Sequence, residues 1–182
     1  CRNKKTGEIV AIKKIKKEVL FQKNQIRHTR DEQDFLSKIK SPWIVELKAS
    51  FQQGDFLYLI MEYLPGGDFM GLLIEKDVLT EEQARFYVCE LILAIESVHK
   101  LNCIHRDIKP DNIMINSDGY IKLIDFGTVK ETSSRNGTTH TIIGTPHYMA
   151  PEVIMGQSYS SSVDFWSIGI CLYEFYIGKV PF

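Results

Sequence analysis

The 182-residue chain has little cysteine, no long apolar run and no excess of charge of one sign. Its four cysteines are widely spaced, without a C-x-x-C pair, which argues against a disulfide framework or a zinc finger and favours thiols in a reducing compartment. The longest apolar stretch, residues 165–178, is interrupted by Glu174 and is too short to span a bilayer. Lys and Arg number 22 against 23 for Asp and Glu, so no strong field points to nucleic acid or an anionic membrane. We therefore predict a cytoplasmic protein, with the nucleus as an alternative, that binds neither membrane nor nucleic acid.

The hydrophobic pattern changes near residue 64 and divides the chain into two parts. Before it, β-branched residues in GEIVAIKKI predict a strand, and WIVELKASF and FLYLIMEYL are two further strand candidates. Apolar positions at helical spacing predict a helix over 26–39. After it, PGGDF at 65–69 indicates a turn. The pattern predicts a small β-rich lobe over 1–64.

Residues 65–182 carry mainly helical patterns. Thr80 and Gln83 match a capping box in front of a long apolar stripe, and apolar periodicity returns as a helix from Ser162. The strings NIMI and YIKLI, split by the turn NSDG, predict a short strand pair, and the Ser/Thr/Gly-rich residues 128–144 predict an exposed loop. The fold class predicted for the whole chain is α+β.

The stretch CIHRDIKPDNIMI at 103–115 places a base, two cations and an amide between apolar flanks. Three further motifs accompany it in a fixed order: VAIK at 10–13, DFG at 125–127 and APE at 150–152. With these motifs the chain resembles the protein kinase family along essentially its whole length. The resemblance implies a bilobal kinase fold and transfer of the γ-phosphate of ATP to a protein.

The resemblance assigns roles in the catalytic loop. Asp107 would accept the substrate hydroxyl proton or orient that hydroxyl, and Lys109 would neutralise the moving phosphoryl group. Asn112 and Asp125 would hold Mg²⁺, which prefers hard oxygen ligands. Phosphoryl transfer has a loose, highly charged transition state, so position and positive potential are what a protein must supply.

The ATP site is implied in the same way. Lys13 would pair with the α- and β-phosphates and be held by Glu32, although a solvated strand lysine is the alternative because other lysines adjoin it. Met61 would guard the back of the adenine pocket, and the backbone of Glu62 and Leu64 would bond adenine. Four residues match the stacked side chains that couple the lobes of active kinases: Leu36, Leu47, His105 and Phe126.

The resemblance also implies a substrate class. Lys109 and Thr145 follow the serine/threonine pattern, so Ser or Thr is the expected acceptor. Asp68 matches a residue that binds the ribose and a substrate arginine, and Asp111 and Glu174 match positions that read basic residues. The alternative is that each acid is a solvated or capping side chain.

Thr141 matches the activation-loop phosphorylation site. A phosphate there would bring close to two negative charges, and Arg106, Lys130 and His28 match the cations that collect it. An upstream kinase is then an expected partner. In the alternative, Thr141 is one hydroxyl in a threonine-rich loop.

Within the family, YLIMEYLPGGDF and DFWSIGICLYE resemble the AGC group, which contains cyclic-nucleotide-dependent and nuclear Dbf2-related kinases. The short activation loop favours the cyclic-GMP-dependent type of protists, and with it a cyclic-nucleotide-binding regulatory domain as partner. The family's glycine-rich loop and last large-lobe helices have no counterpart in the sequence, so a fragment is expected.

Two alternatives compete with an active enzyme. A pseudokinase or scaffold would bind partners without catalysis, but such proteins commonly lose a residue equivalent to Lys13, Asp107, Asn112 or Asp125. A small-molecule kinase is disfavoured by the APE segment and the acids that would read a peptide.

Overall fold

The computed structural model describes residues 1–22, 25–132 and 137–182. Its first part is a three-stranded antiparallel sheet of order β1-β3-β2, formed by β1 (Val10–Lys16), β2 (Leu47–Gln53) and β3 (Phe56–Glu62). The register pairs Val10 with Glu62 and Lys13 with Leu59. Leu57 and Leu59 of β3 are buried, as expected for the side chains that alternate onto the inner face of a strand.

Two helices follow β1. The first, α1 (Lys17–Gln22), was not predicted, since six residues are too few to show a helical period, and it buries only Leu20. The second, α2 (Ile26–Lys38), matches the predicted helix and buries Phe35 and Leu36 on the face that packs inward. The same face carries Glu32, which is 2% exposed, so the helix brings an acid to the sheet.

The second part is mainly helical, with α3 (Phe69–Lys76), α4 (Glu81–His99), α5 (Pro151–Ile154) and α6 (Ser162–Ile177). Two short strand pairs lie among these helices. One joins β4 (Cys103–Ile104) to β7 (Lys130–Glu131), and the other joins β5 (Ile113–Ile115) to β6 (Ile121–Leu123), which confirms the predicted hairpin. Sheet and helices together confirm the α+β class.

Helix α4 begins as its sequence predicts. Thr80 accepts a hydrogen bond from the backbone N–H of Gln83, and the Gln83 side chain accepts one from the backbone of Thr80. The predicted stripe is buried and includes Leu91 and Ile95. None of the helices in the described ranges has the length and apolarity that a bilayer span requires.

One hydrophobic core runs through both parts, from Phe35 and Leu36 of α2 to Leu123 and Phe126 beyond it in the chain. The connecting segment after β3 is tied to the helical part through β5. The N–H of Gly66 donates to the carbonyl of Ile115, and a Cβ built on Gly66 would lie 2.6 Å from that oxygen. The contact is therefore close enough to require glycine.

Candidate active site

The catalytic loop lies between β4 and β5, and its aspartate, Asp107, is held by another residue of the same loop. Asn112 donates through Nδ2 to the backbone oxygen of Asp107 at 2.8 Å and to its carboxylate at 3.1 Å. The Asp107 side chain is only 12% exposed. Because the loop itself supplies these bonds, the carboxylate has a fixed orientation before any substrate arrives.

Lys109 and Thr145 complete a closed set of contacts around Asp107. Lys109 donates from Nζ to Thr145 Oγ1 at 2.7 Å, and Thr145 donates from Oγ1 to Asp107 Oδ1 at 2.6 Å. Lys109 Nζ also lies 3.2 Å from Asp107 Oδ2. Residues 36 to 38 positions apart in sequence thus place an acceptor oxygen, a cation and a hydroxyl side by side.

Lys13 is not a solvated strand lysine, because two carboxylates face its ammonium group. Its Nζ lies 2.7 Å from Glu32 Oε1 and 3.6 Å from Asp125 Oδ1. Burial works to lower the pKa of Lys13, but the two carboxylates outweigh it and raise that pKa. Burial likewise works to raise the pKa of Asp125, but Lys13, the backbone N–H of Gly127 and the charge of His105 together outweigh it, so the pKa of Asp125 falls. Lys13 is therefore charged at neutral pH, and Asp125 is a carboxylate able to hold a cation.

Asp164 of α6, which the sequence analysis did not single out, positions the catalytic loop. Its carboxylate is fully buried and accepts from the backbone N–H groups of His105 at 3.0 Å and Arg106 at 2.9 Å. His99 Nε2 lies 2.7 Å from the same carboxylate. An aspartate inside an apolar helical run was the available signal, since a buried carboxylate needs such partners.

His105 is a core histidine, as the resemblance implied. Its ring lies edge-on to Phe126 at 5.0 Å between centroids, and Phe126 stacks on Phe35 at 4.6 Å. Leu36 belongs to the same core, and Leu47 packs against it. The four side chains predicted to stack therefore lie in one apolar cluster that links α2, β2 and the catalytic loop.

Two cavities meet at Lys13 and Asp125. The first, of about 410 Å³, is lined mainly by apolar side chains and includes all three residues expected at adenine: Met61, Glu62 and Leu64. The second, of about 650 Å³, contains Asp107 and also Lys109, Glu32 and Thr145. The arrangement offers, one after another, an apolar slot, the charges of Lys13 and Asp125, and the Asp107 carboxylate, which would suit a nucleotide whose phosphates reach toward Asp107.

A protein-family model described as "Protein kinase domain" matches residues 1–182. The chain belongs to the protein kinase family. Citron Rho-interacting kinase of Mus musculus is 45% identical over the whole chain, which covers 9% of that protein. Over 97% of the chain, LATS2 of Homo sapiens is 38% identical and sax-1 of Caenorhabditis briggsae is 41% identical, with 21% and 45% of those proteins covered. The chain thus spans less than half the length of these relatives.

These relatives are Ser/Thr kinases of the AGC group, which confirms the predicted group and corrects the predicted branch. Apart from Citron kinase they are of the LATS and nuclear Dbf2-related type, and the preference for cyclic-GMP-dependent kinases is not supported. That preference rested on the stretch that begins HTIIGTPHYMAPEV and on a short activation loop. The alignment with LATS2 runs over 224 residues, longer than this kinase chain, so the relative carries insertions. Loop length is a weak guide because surface loops accept insertions at small cost.

The hinge of the kinase is braced by an ion pair between its two parts. Glu62, at the end of β3, accepts from Lys122 of β6 at 2.7 Å and from the backbone N–H of Glu46 at 2.8 Å. The Lys122 and Glu62 side chains are 14% and 21% exposed. The pair thus engages the Glu62 carboxylate with β6, on the far side of the connecting segment.

The three acids expected to read the substrate differ in their surroundings. Asp68 caps α3 by accepting from the N–H of Gly71 at 2.8 Å, so the capping alternative describes part of its role. Asp111 is exposed. Glu174 is buried, and Tyr148 donates to it at 2.7 Å; its pKa is raised, first by burial and further by the charge of Asp111, while the Tyr148 bond opposes the shift.

Around Thr141 the structure brings one of the three predicted cations close. Thr141 is exposed, and its carbonyl accepts from Tyr159, whose hydroxyl in turn accepts from Arg106. Lys130 and His28 line different cavities, the first behind α2 and the second beside Lys13. No contact among the described residues joins all three cations to Thr141.

Proposed function

We propose that the protein is a Ser/Thr protein kinase that transfers the γ-phosphate of ATP to a hydroxyl of a protein substrate. The observation that carries the proposal is the contact set of Asp107, Lys109 and Thr145, adjoining Lys13 and Asp125. The paired positive charges suit the loose transition state, in which charge spreads over the phosphate oxygens. LATS2 and sax-1 are named as Ser/Thr kinases, which supports the same activity.

Each side chain has a step that its contacts support. Asp107 would orient the substrate hydroxyl and take its proton, and Lys109 would neutralise the charge that builds beside it. Lys13 would hold phosphate oxygens, since Glu32 keeps its ammonium group in place. Asn112 and Asp125 offer oxygen donors that fit Mg²⁺, which would neutralise the phosphates when bound. The backbone of Glu62 and Leu64, with Met61 behind them, would hold adenine.

The proposed substrates carry basic residues near the acceptor. The charge of Asp111 contributes to the raised pKa of Glu174, so the two acids lie close enough to repel each other. An arginine side chain relieves such repulsion and pairs bidentately with carboxylates. Asp68 is the third proposed contact, to ribose and to a substrate arginine.

Regulation is proposed at Thr141, through an upstream kinase. Arg106 is 7% exposed and lies one hydroxyl away from the Thr141 backbone, so a phosphate added there would meet a cation. Lys130 and His28 would join it after a local shift. Free thiols at all four cysteines support a location in the cytoplasm or the nucleus.

The test is phosphotransfer to a serine peptide with upstream arginines, made with the full-length protein encoded by the gene. Asp107→Asn should lower kcat by about 10²–10⁴-fold, the usual contribution of a positioned base. Asp118→Asn, in the exposed turn between β5 and β6, is the matched control and should leave kcat unchanged. Full activity of Asp107→Asn would refute the mechanism.

An uncharged version of the peptide tests the substrate class separately. Replacing its arginines by alanine should raise KM, and Asp111→Asn should raise KM for the arginine peptide only. Equal use of both peptides by the wild-type protein would rule out the basic preference while leaving the kinase activity standing.

A further inference from the structure

Tyr159, in the loop between α5 and α6, is joined to the activation segment by its backbone. The N–H of Thr139 donates to the carbonyl of Tyr159 at 2.9 Å, and the N–H of Tyr159 donates to the carbonyl of Thr139 at 3.0 Å. Both residues are buried, at 8% and 3% exposed. This reciprocal pair of hydrogen bonds fixes the position of Thr139 relative to the loop that precedes α6.

The ring of Tyr159 is anchored in a small apolar cluster of the helical part. Its neighbours in that cluster are Ile104, Ala150, Val153 and Val163. A tyrosine held by its ring carries its hydroxyl at a defined point, because only two side-chain torsions place it. The hydroxyl is thus a fixed group against which a loop can be positioned.

That hydroxyl makes two bonds of different kinds. It donates to the carbonyl of Thr141 at 2.5 Å and accepts from Nη1 of Arg106 at 3.3 Å. Arg106 also donates from Nε to the carbonyl of Thr128 at 2.7 Å. One guanidinium group therefore reaches both ends of the stretch 128–141, directly at one end and through Tyr159 at the other.

We propose that Tyr159 is a positioning residue that holds Thr139 and Thr141 in the active arrangement before any phosphate is added. The Tyr159 hydroxyl bonds the Thr141 carbonyl, and Arg106 uses two of its five N–H donors, one on Tyr159 and one on Thr128. The other donors of Arg106 remain for a phosphate. Phosphorylation then strengthens an arrangement that is already formed. The inference rests on the proposed kinase activity and on Thr141 as the phosphorylated residue.

The experiment compares two full-length variants that cannot be phosphorylated at residue 141: Thr141→Ala and Thr141→Ala with Tyr159→Phe. Alanine keeps the carbonyl that accepts from Tyr159, so the contact survives in the first variant. Loss of the hydroxyl should speed amide hydrogen exchange over residues 137–143. It should also lower kcat by about three- to tenfold, which corresponds to the net free energy of one hydrogen bond, and leave KM for ATP unchanged.

Tyr120→Phe in the Thr141→Ala background is the control, since Tyr120 is exposed and its hydroxyl has no hydrogen bond within the described ranges. In protein phosphorylated at Thr141, Tyr159→Phe should lower kcat by a smaller factor, because the phosphate supplies charge-assisted hydrogen bonds of its own. Unchanged exchange, or an equal loss of kcat in the phosphorylated and unphosphorylated proteins, would overturn the inference. Absence of phosphotransfer in the wild type would refute the proposed function, while the exchange result would still decide the role of Tyr159.

Discussion

Thr145 offers the sharpest test of the catalytic geometry. Thr145→Val keeps the shape of a β-branched side chain and removes the hydroxyl that accepts from Lys109 and donates to Asp107. Thr145→Val removes two hydrogen bonds to charged groups, and the direct contact of Lys109 with Asp107 at 3.2 Å stands in for one of them. The net loss therefore corresponds to one hydrogen bond with a charged group, about 1.5–3 kcal/mol. At about 1.4 kcal/mol for each factor of ten, kcat should fall about 10- to 150-fold.

The assay is steady-state phosphotransfer to the arginine-containing serine peptide, with kcat and KM for ATP measured separately. Because Thr145 does not line the apolar slot, KM for ATP should hold while kcat falls. Thr145→Ser restores the hydroxyl and should recover most of the rate. Thr138→Ala removes an exposed hydroxyl from the same segment and serves as the control. A Thr145→Val protein with wild-type kcat, or a serine variant as slow as the valine one, would show that this hydroxyl does not align Asp107 and Lys109.

Two further predictions use buried titratable groups. Burial, with the charge of Glu131, raises the pKa of Cys103 to about 11, so at pH 8 its thiolate fraction is about a hundredfold below that of a thiol of pKa 9.0. Iodoacetamide should therefore label the exposed Cys89 long before Cys103. Similar labelling rates for the two thiols, measured by peptide mass spectrometry, would contradict this prediction. Burial lowers the pKa of His105, so the unfolded state binds the extra proton and the stability of the wild type should fall as the pH drops below 6.5, by at most about 1.4 kcal/mol per pH unit. His105→Phe should flatten that part of the curve in urea unfolding measured from pH 7.5 to 5.5, and an identical slope in both proteins would exclude His105 as its source.

Much of the fold follows from local sequence. The capping box at Thr80 and the string FLYLIMEYL predict elements that the structure confirms, since each depends on residues within a few positions. The helix α1 does not follow, because its six residues are too short a window to show a helical period. The site residues from Lys13 to Asp125 were reached by resemblance to a family, and their distances came only from the structure.

The roles of Asp164 and Tyr159 lay beyond sequence reasoning for a different reason. Asp164 bonds groups 58 to 65 positions earlier in the chain, and the Tyr159 hydroxyl bonds Arg106 at a separation of 53. No local pattern encodes such partners, since one buried carboxylate or phenol has many conceivable neighbours. Spacing within a motif predicts which chemistry a loop carries, and long-range hydrogen bonds determine whether that loop is held in place.

The close approach at Gly66 has a consequence for inherited variation. Gly66 is exposed and has no side chain, and surface positions of that kind ordinarily tolerate most amino acids. Here every missense codon would add a carbon that presses on the Ile115 backbone and pushes the hinge away from β5. In a saturation screen of alleles scored by growth or signalling, Gly66 should be nearly as depleted of substitutions as the buried core.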